Sequence, residues 1–129
     1  MQDRELLWSG TKWEEDFCYS RGVRVANHIF ISGTTAVRNG EVVGSGSVEI
    51  QTRECLNIIK EAIEKLGGSI SDVVRTRMFV RDIKQSSIIG KVHSEFFRDI
   101  NPAATMVEIN RLINDELLIE VEADAVIVA

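Results

Sequence analysis

Hydrophobic and polar residues alternate most regularly near the C-terminal end, over Leu117–Val128. Leu117, Ile119, Val121, Ala123, Ala125 and Ile127 share one face of a strand. Leu118, Glu120, Glu122, Asp124, Val126 and Val128 share the other, because strand side chains alternate sides with period two. A strand with one wholly apolar face is expected at the centre of a sheet. The carboxylates on its second face must meet water, hydrogen-bond donors or another chain. A second strand pattern, Thr105–Asn110, precedes it and carries Glu108.

Earlier in the chain, Val23–Val25 and His28–Ser32 alternate around Ala26-Asn27, which predicts a tight hairpin. Asn39-Gly40 separates Thr34–Arg38 from Val42–Val43. It is a type I′ signal, since both central residues of that turn need positive φ. Gly44–Ser47 reads as a link, with Ser45 or Ser47 as N-cap. Cys55, Ile59, Ala62 and Leu66 then recur at helical spacing, predicting a helix over about Val48–Leu66 that Gly67-Gly68 ends. Val73–Val80 reads as a strand. A second helix is expected from about Lys84 to Arg98, with Ile88, Val92 and Phe96 on its buried face. Pro102, the only proline, ends that connection. Residues 1–16 read as an extended N-terminal arm, whose Trp8 and Trp13 are expected to pack on the body or on a neighbour.

The pattern is α+β: a mixed sheet of five or six strands with two helices on one face, since strand–helix–strand crossovers in one sheet share a hand. Two helices leave the second face bare. Apolar residues mixed with acids there make oligomerisation through that face the economical solution. At 129 residues and 44% hydrophobic content, the chain builds one core and a single domain.

Charge and cysteine content narrow the function. A formal charge of -5 argues against nucleic-acid binding, despite the basic run at Arg75, Arg77 and Arg81. No apolar stretch is long enough to span a bilayer, so no membrane role is expected. Cys18 and Cys55 form no CxxC pair, which suits a reducing, cytoplasmic location and argues against a zinc site.

Candidate chemistry is sparse. There is no HExxH, P-loop or GxGxxG. His28 and His93 lack a second ligand at metal spacing and read as surface or packing residues, and Cys18 reads as a small buried hydrophobe. A carboxylate on a central strand beneath an oligomer interface differs from these. Partial desolvation raises its pKa and makes it useful for handling a water. The plainer expectation is that Glu108, Glu120 and Glu122 pair with Arg75, Arg77 or Arg111.

The run Pro102-Ala103-Ala104-Thr105-Met106-Val107-Glu108-Ile109, then Arg111-Leu112, then Ile119-Glu120-Val121-Glu122-Ala123, resembles the signature of the Rid (reactive intermediate deaminase, RidA/YjgF-like) family. Tyr19 with Gly22, Ile31-Ser32-Gly33, Gln51-Thr52, Gly67-Gly68, Asp72-Val73-Val74, Phe79-Val80 and Phe96-Phe97 extend the resemblance in order along most of the chain. The resemblance implies a chorismate-mutase-like fold, a homotrimer with clefts between subunits that take a small molecule, and no metal or organic cofactor. Deaminase members hydrolyse reactive enamines and imines. Carried over by position, Tyr19 lines the cleft, Ser32 and Gly33 contact the ligand, the backbone at Met106 reaches it, and Glu120 positions or activates the attacking water. Deaminase members carry an arginine where this chain has Ala104, and that arginine clamps the substrate carboxylate. Two functions follow: an imine or enamine hydrolase with an altered substrate, or a non-catalytic trimer that binds a small molecule or protein. Arg21 and Arg77 are the nearest candidates for a substitute cation, with a structural ion pair the default for each.

Overall fold

The computed structural model describes Asp3–Val128. Its elements run β1 (Arg4–Leu7), α1 (Lys12–Phe17), β2 (Gly22–Val25), β3 (His28–Thr34), β4 (Val37–Arg38), β5 (Glu41–Val42), α2 (Val48–Lys65), β6 (Val73–Val80), α3 (Ser86–Phe97), β7 (Ala103–Glu108) and β8 (Ile119–Val126). Six strands form one mixed sheet in the order β1-β2-β3-β8-β6-β7, and β4 with β5 makes a separate two-stranded sheet. Among the described residues only the β6–β7 pair is parallel.

The expected central strand is β8, held between β3 and β6. Its apolar face from Ile119 to Ala125 is buried at every second residue. Against it pack Cys55, Leu56, Ile59 and Ile63 of α2 and Ile89 and Val92 of α3. Each fully buried Ile or Leu of this kind contributes roughly 1.5–3 kcal/mol relative to exposure. Helix α2 starts on Ser47, whose hydroxyl accepts from the Ile50 N–H at 3.2 Å. It ends at Gly67, which takes φ +92° while Gly68 N–H donates to Ile63 O at 2.9 Å and Gly67 N–H to Glu64 O at 3.0 Å. That is the paired closure a glycine after a helix allows. Asn39 and Gly40 both take positive φ, as the expected turn requires.

Several expectations need correction. Residues 1–2 of the expected arm lie outside the described residues. Of the rest, Arg4–Leu7 is extended but hydrogen-bonded to β2 as the sheet's edge, and Lys12–Phe17 winds into a helix. The cause is a capping arrangement. Thr11 is the N-cap and accepts from Glu14 N–H, while the Glu14 carboxylate accepts from Ser9 N–H at 3.0 Å, the Ser9 hydroxyl and the Thr11 hydroxyl at 2.7 Å. Trp8 and Trp13 stay about half exposed on the subunit. Cys18 is not a buried hydrophobe: it caps α1 in the left-handed region and is exposed, and Cys55 is the buried cysteine.

On α3 the buried residues are Ile89, Val92 and Phe97, while Ile88 is exposed. A 3-10 turn at Ile83–Gln85 precedes the α-helix, and the adjacent Ile88-Ile89 pair leaves periodicity alone unable to choose between them. His93 is a packing residue. It lies half-buried on α3, hydrogen-bonded to Thr76 of β6 at 2.9 Å and tilted on Phe97. In β6 the register shifts between Val73 and Arg75, so Val73 rather than Val74 joins Thr76, Met78 and Val80 in the core.

Candidate active site

The second face of the sheet carries Phe30 and Ser32 from β3, Glu120, Glu122 and Asp124 from β8, and Arg75, Arg77 and Phe79 from β6. Phe30 is exposed, and the three acids are partly buried. The ladder pairs Arg77 with Glu122 and Phe79 with Glu120. Arg77 Nη1 lies 3.1 Å from Glu122 and 3.5 Å from Asp124, so its structural ion-pair role holds. Glu108, in contrast, caps the 3-10 turn by accepting from Ile83 N–H at 3.0 Å, and Arg111 pairs with Asp115.

Glu120 stands apart from these pairs. Among the described residues it closes no ion pair. Its neighbour is a break in the β3–β8 ladder: Ile31 pairs with Ala123 but Thr34 with Val121, so Ser32 and Gly33 together oppose Glu122. Such a bulge re-aims side chains and bends its strand. Here it brings the backbone of Gly33 against the Glu120 side chain, where any Cβ at Gly33 would overlap the carboxylate. Ser32 does not offer its hydroxyl proton outward, because that hydroxyl donates to Ser20 O at 2.6 Å. Tyr19 lies exposed at the start of this segment, its N–H donating to Glu14 O at 3.1 Å.

The electrostatics follow from this geometry. Burial raises the Glu120 pKa above the ordinary carboxylate range, the Arg21 charge opposes that, and Glu122 adds to it. Arg21 is one of the two candidate cations named from the sequence, and among the described residues it closes no ion pair. It sits half-buried one position before β2, and its Nη2 donates to Gly33 O at 2.5 Å. Its signal in the sequence was only an arginine one position before the β2–β3 hairpin, which any surface loop shares.

Tyr19, Arg21, Ser32, Gly33 and Glu120 are thus gathered in one region, and Ala104 and Met106 are not. In the parallel β6–β7 register Ala104 pairs with Thr76 and Met106 with Met78, which places both on the helix-covered side. Met106 packs against the core there. Thr105 and Val107 face the open side, two strands and roughly 10 Å from β8. A hollow of about 360 Å³ in the subunit, lined by His93, Phe97, Arg98, Asn101 and Pro102 among others, includes none of the gathered residues. Among the described residues no three His, Cys, Asp or Glu side chains cluster as a metal site, and no helix is long and apolar enough to cross a membrane.

These features define a class: a small α+β subunit with one sheet face under helices and an open face bearing a partly desolvated carboxylate at a bulge. Residues 14–127 match the family described as Endoribonuclease L-PSP, and the chain belongs to that family, which includes the YjgF and RutC proteins. The resemblance read from the sequence is borne out. The chain is 36% identical over 109 residues to a RutC family protein of Pyrococcus abyssi, spanning 83% of this chain and 84% of that one. It is 35% identical over 113 residues to a 2-iminobutanoate/2-iminopropanoate deaminase of Escherichia coli, spanning 84% and 86%. Among solved structures, a Mycobacterium tuberculosis member of the YjgF/YER057c/UK114 family superposes with a TM-score of 0.88 at 37% identity, covering 97% of this chain and all of that one.

Proposed function

We propose that the protein is a cofactor-free hydrolase of small imines or enamines, working as a homotrimer whose clefts complete the site around Glu120. The observation that carries this is the Glu120 carboxylate, unpaired, partly desolvated and lodged against Gly33 at the β3 bulge. A carboxylate whose pKa is raised towards neutrality can serve as both base and acid. In the forward reaction Glu120 takes a proton from water as the hydroxyl adds to the C=N carbon. The protonated acid returns that proton to nitrogen, giving a carbinolamine, and the Glu120 carboxylate then relays the carbinolamine hydroxyl proton to the amine as the C–N bond breaks, leaving a carbonyl and ammonia. Tyr19, Ser32 and Gly33 form the wall on the Glu120 side, with Ser32 acting through its backbone because its hydroxyl is engaged.

The remaining wall comes from a second subunit. Ala104 and Met106 cannot approach Glu120 within one chain, since they sit on the other side of the sheet, whereas β7 is a free edge available to a neighbour. With Ala104 at the position where the resemblance puts an arginine, any grip on a substrate carboxylate has to come from another residue. Non-catalytic binding has less support. Trp13 is about half exposed and Met106 packs into the core, so neither plugs the region of Glu120 within the subunit. The family's ribonuclease description finds little support on the open face, where Arg77 is neutralised by Glu122 and Asp124.

The test is ammonia release from a panel of 2-imino acids and simple imines generated in situ. Glu120→Gln should lower kcat by about 10²-fold or more, the usual weight of a general acid–base. Release that survives this change intact removes Glu120 from the mechanism.

A further inference from the structure

One charged group in this region has no task in the chemistry above. Arg21 extends the β2–β3 ladder: its N–H donates to Leu7 O at 2.9 Å and its carbonyl accepts from Ser32 N–H at 3.0 Å. Being opposite Ser32, it projects on the open side of the sheet. Its guanidinium has three nitrogens in different situations. Nη2 is tied to Gly33 O. Nε is sealed from solvent with no acceptor. Nη1 has no acceptor among the described residues and is not sealed. No carboxylate closes an ion pair with it among the described residues, although Glu14 and Glu120 are near enough to oppose the lowering of its pKa that burial causes.

A guanidinium kept half-buried, fixed by one hand and free at the other, is pre-organised for an anion. Arg21 and Glu120 meet at a single residue, Gly33. Arg21 holds the Gly33 carbonyl oxygen, and Glu120 abuts the Gly33 Cα. Those two atoms of one residue are about 2.4 Å apart by standard backbone geometry. We propose that Arg21 is the anion-receiving residue of this site: Nη1 takes an oxygen of a small carboxylate whose neighbouring carbon then lies before Glu120. The ligand class is therefore 2-imino and 2-oxo acids, in which the carboxylate adjoins the reacting carbon. Cation and acid come from the same subunit, so the loss of a side-chain donor at Ala104 moves the clamp instead of abolishing it. This rests on Glu120 marking the ligand site, and not on turnover.

Binding separates the two ideas. In calorimetric titrations of the full chain, 2-oxobutanoate should bind at least about tenfold more tightly than 2-butanone, which has the carbonyl without the charge. Arg21→Gln should erase that preference while leaving 2-butanone unchanged. Arg21→Lys should keep part of it, since one ammonium cannot serve both Gly33 O and the ligand as the guanidinium fork does. Glu120→Gln should bind 2-oxobutanoate as tightly as the parent or more so. Equal affinity of the parent for both probes, or an unchanged preference in Arg21→Gln, overturns the assignment. Equal affinity in the parent overturns the assignment even if the glutamine variant does not fold, and Arg21→Lys then carries the positive side of the test. Carboxylate preference in a protein that releases no ammonia supports Arg21 and removes the hydrolase.

Discussion

At the scale of single residues, the site depends on what is missing at position 33. Gly33 has no Cβ, and the Glu120 carboxylate occupies the space one would fill. Gly33→Ala should therefore displace the carboxylate at small cost to the fold, because a flexible side-chain end can move. Catalysis should fall by about 10²-fold, the scale of a misplaced catalytic group, with little change in melting temperature. Glu120 itself has the reverse balance. Its folded-state pKa lies above its unfolded value, so the folded chain holds the proton more tightly between the two. Stability is then full below the ordinary carboxylate pKa and declines as pH rises through it towards the folded value. Glu120→Gln removes that decline. In urea melts it should be the more stable protein at pH 7, with the gap closing on acidification below the ordinary carboxylate range. A variant less stable than the parent at pH 7 contradicts the direction of the shift.

At the scale of elements, legibility depended on whether the forces were local. The alternation of Leu117–Val128, the Asn39-Gly40 turn and the Ser47-to-Gly67 helix each follow from nearest-neighbour chemistry, and each is found in place. The α1 helix is equally local, since Thr11 and Glu14 stand at capping-box spacing, but its 6 residues are too few for a helical period to repeat. The bulge at Ser32-Gly33 was hardly legible. It arises from pairing with a strand some 90 residues later, and Gly33 inside the strand pattern is its one local sign. Arg21 is explained only by that bulge. Gln51 joins the two scales. Wholly buried on α2, it donates to Glu116 O at 2.9 Å and Gly44 O at 3.3 Å and accepts from Leu118 N–H at 2.8 Å. It thereby fixes the chain two residues before Glu120. Gln51→Leu keeps the volume and strands those backbone groups, so equilibrium unfolding should show a loss of about 2–4 kcal/mol. Activity should fall beyond what the folded fraction accounts for.

At the scale of the molecule, the half-dressed sheet is the surface that the proposed assembly would bury. Leu6 and Phe30 lie exposed on its open face beside partly buried acids. A homotrimer that buries this face should scatter light as three times the 14.5 kDa chain. Phe30→Asp, which adds charge to that face, should shift the mass towards one chain and lower activity in parallel. A parent that runs as a monomer at assay concentration would contradict the trimer. The two margins of the sheet are also unequal. On β1, Arg4 and Glu5 place charge along the outer rim, as natural sheets do to repel stray strands. On β7 the run Ala103–Val107 offers its unpaired amides and carbonyls with no such guard until Glu108. A newly made chain is thus sticky on one border only. In the proposed trimer, docking and disordered clumping compete for the same short row of amides, and the yield of soluble protein depends on which reaches it first.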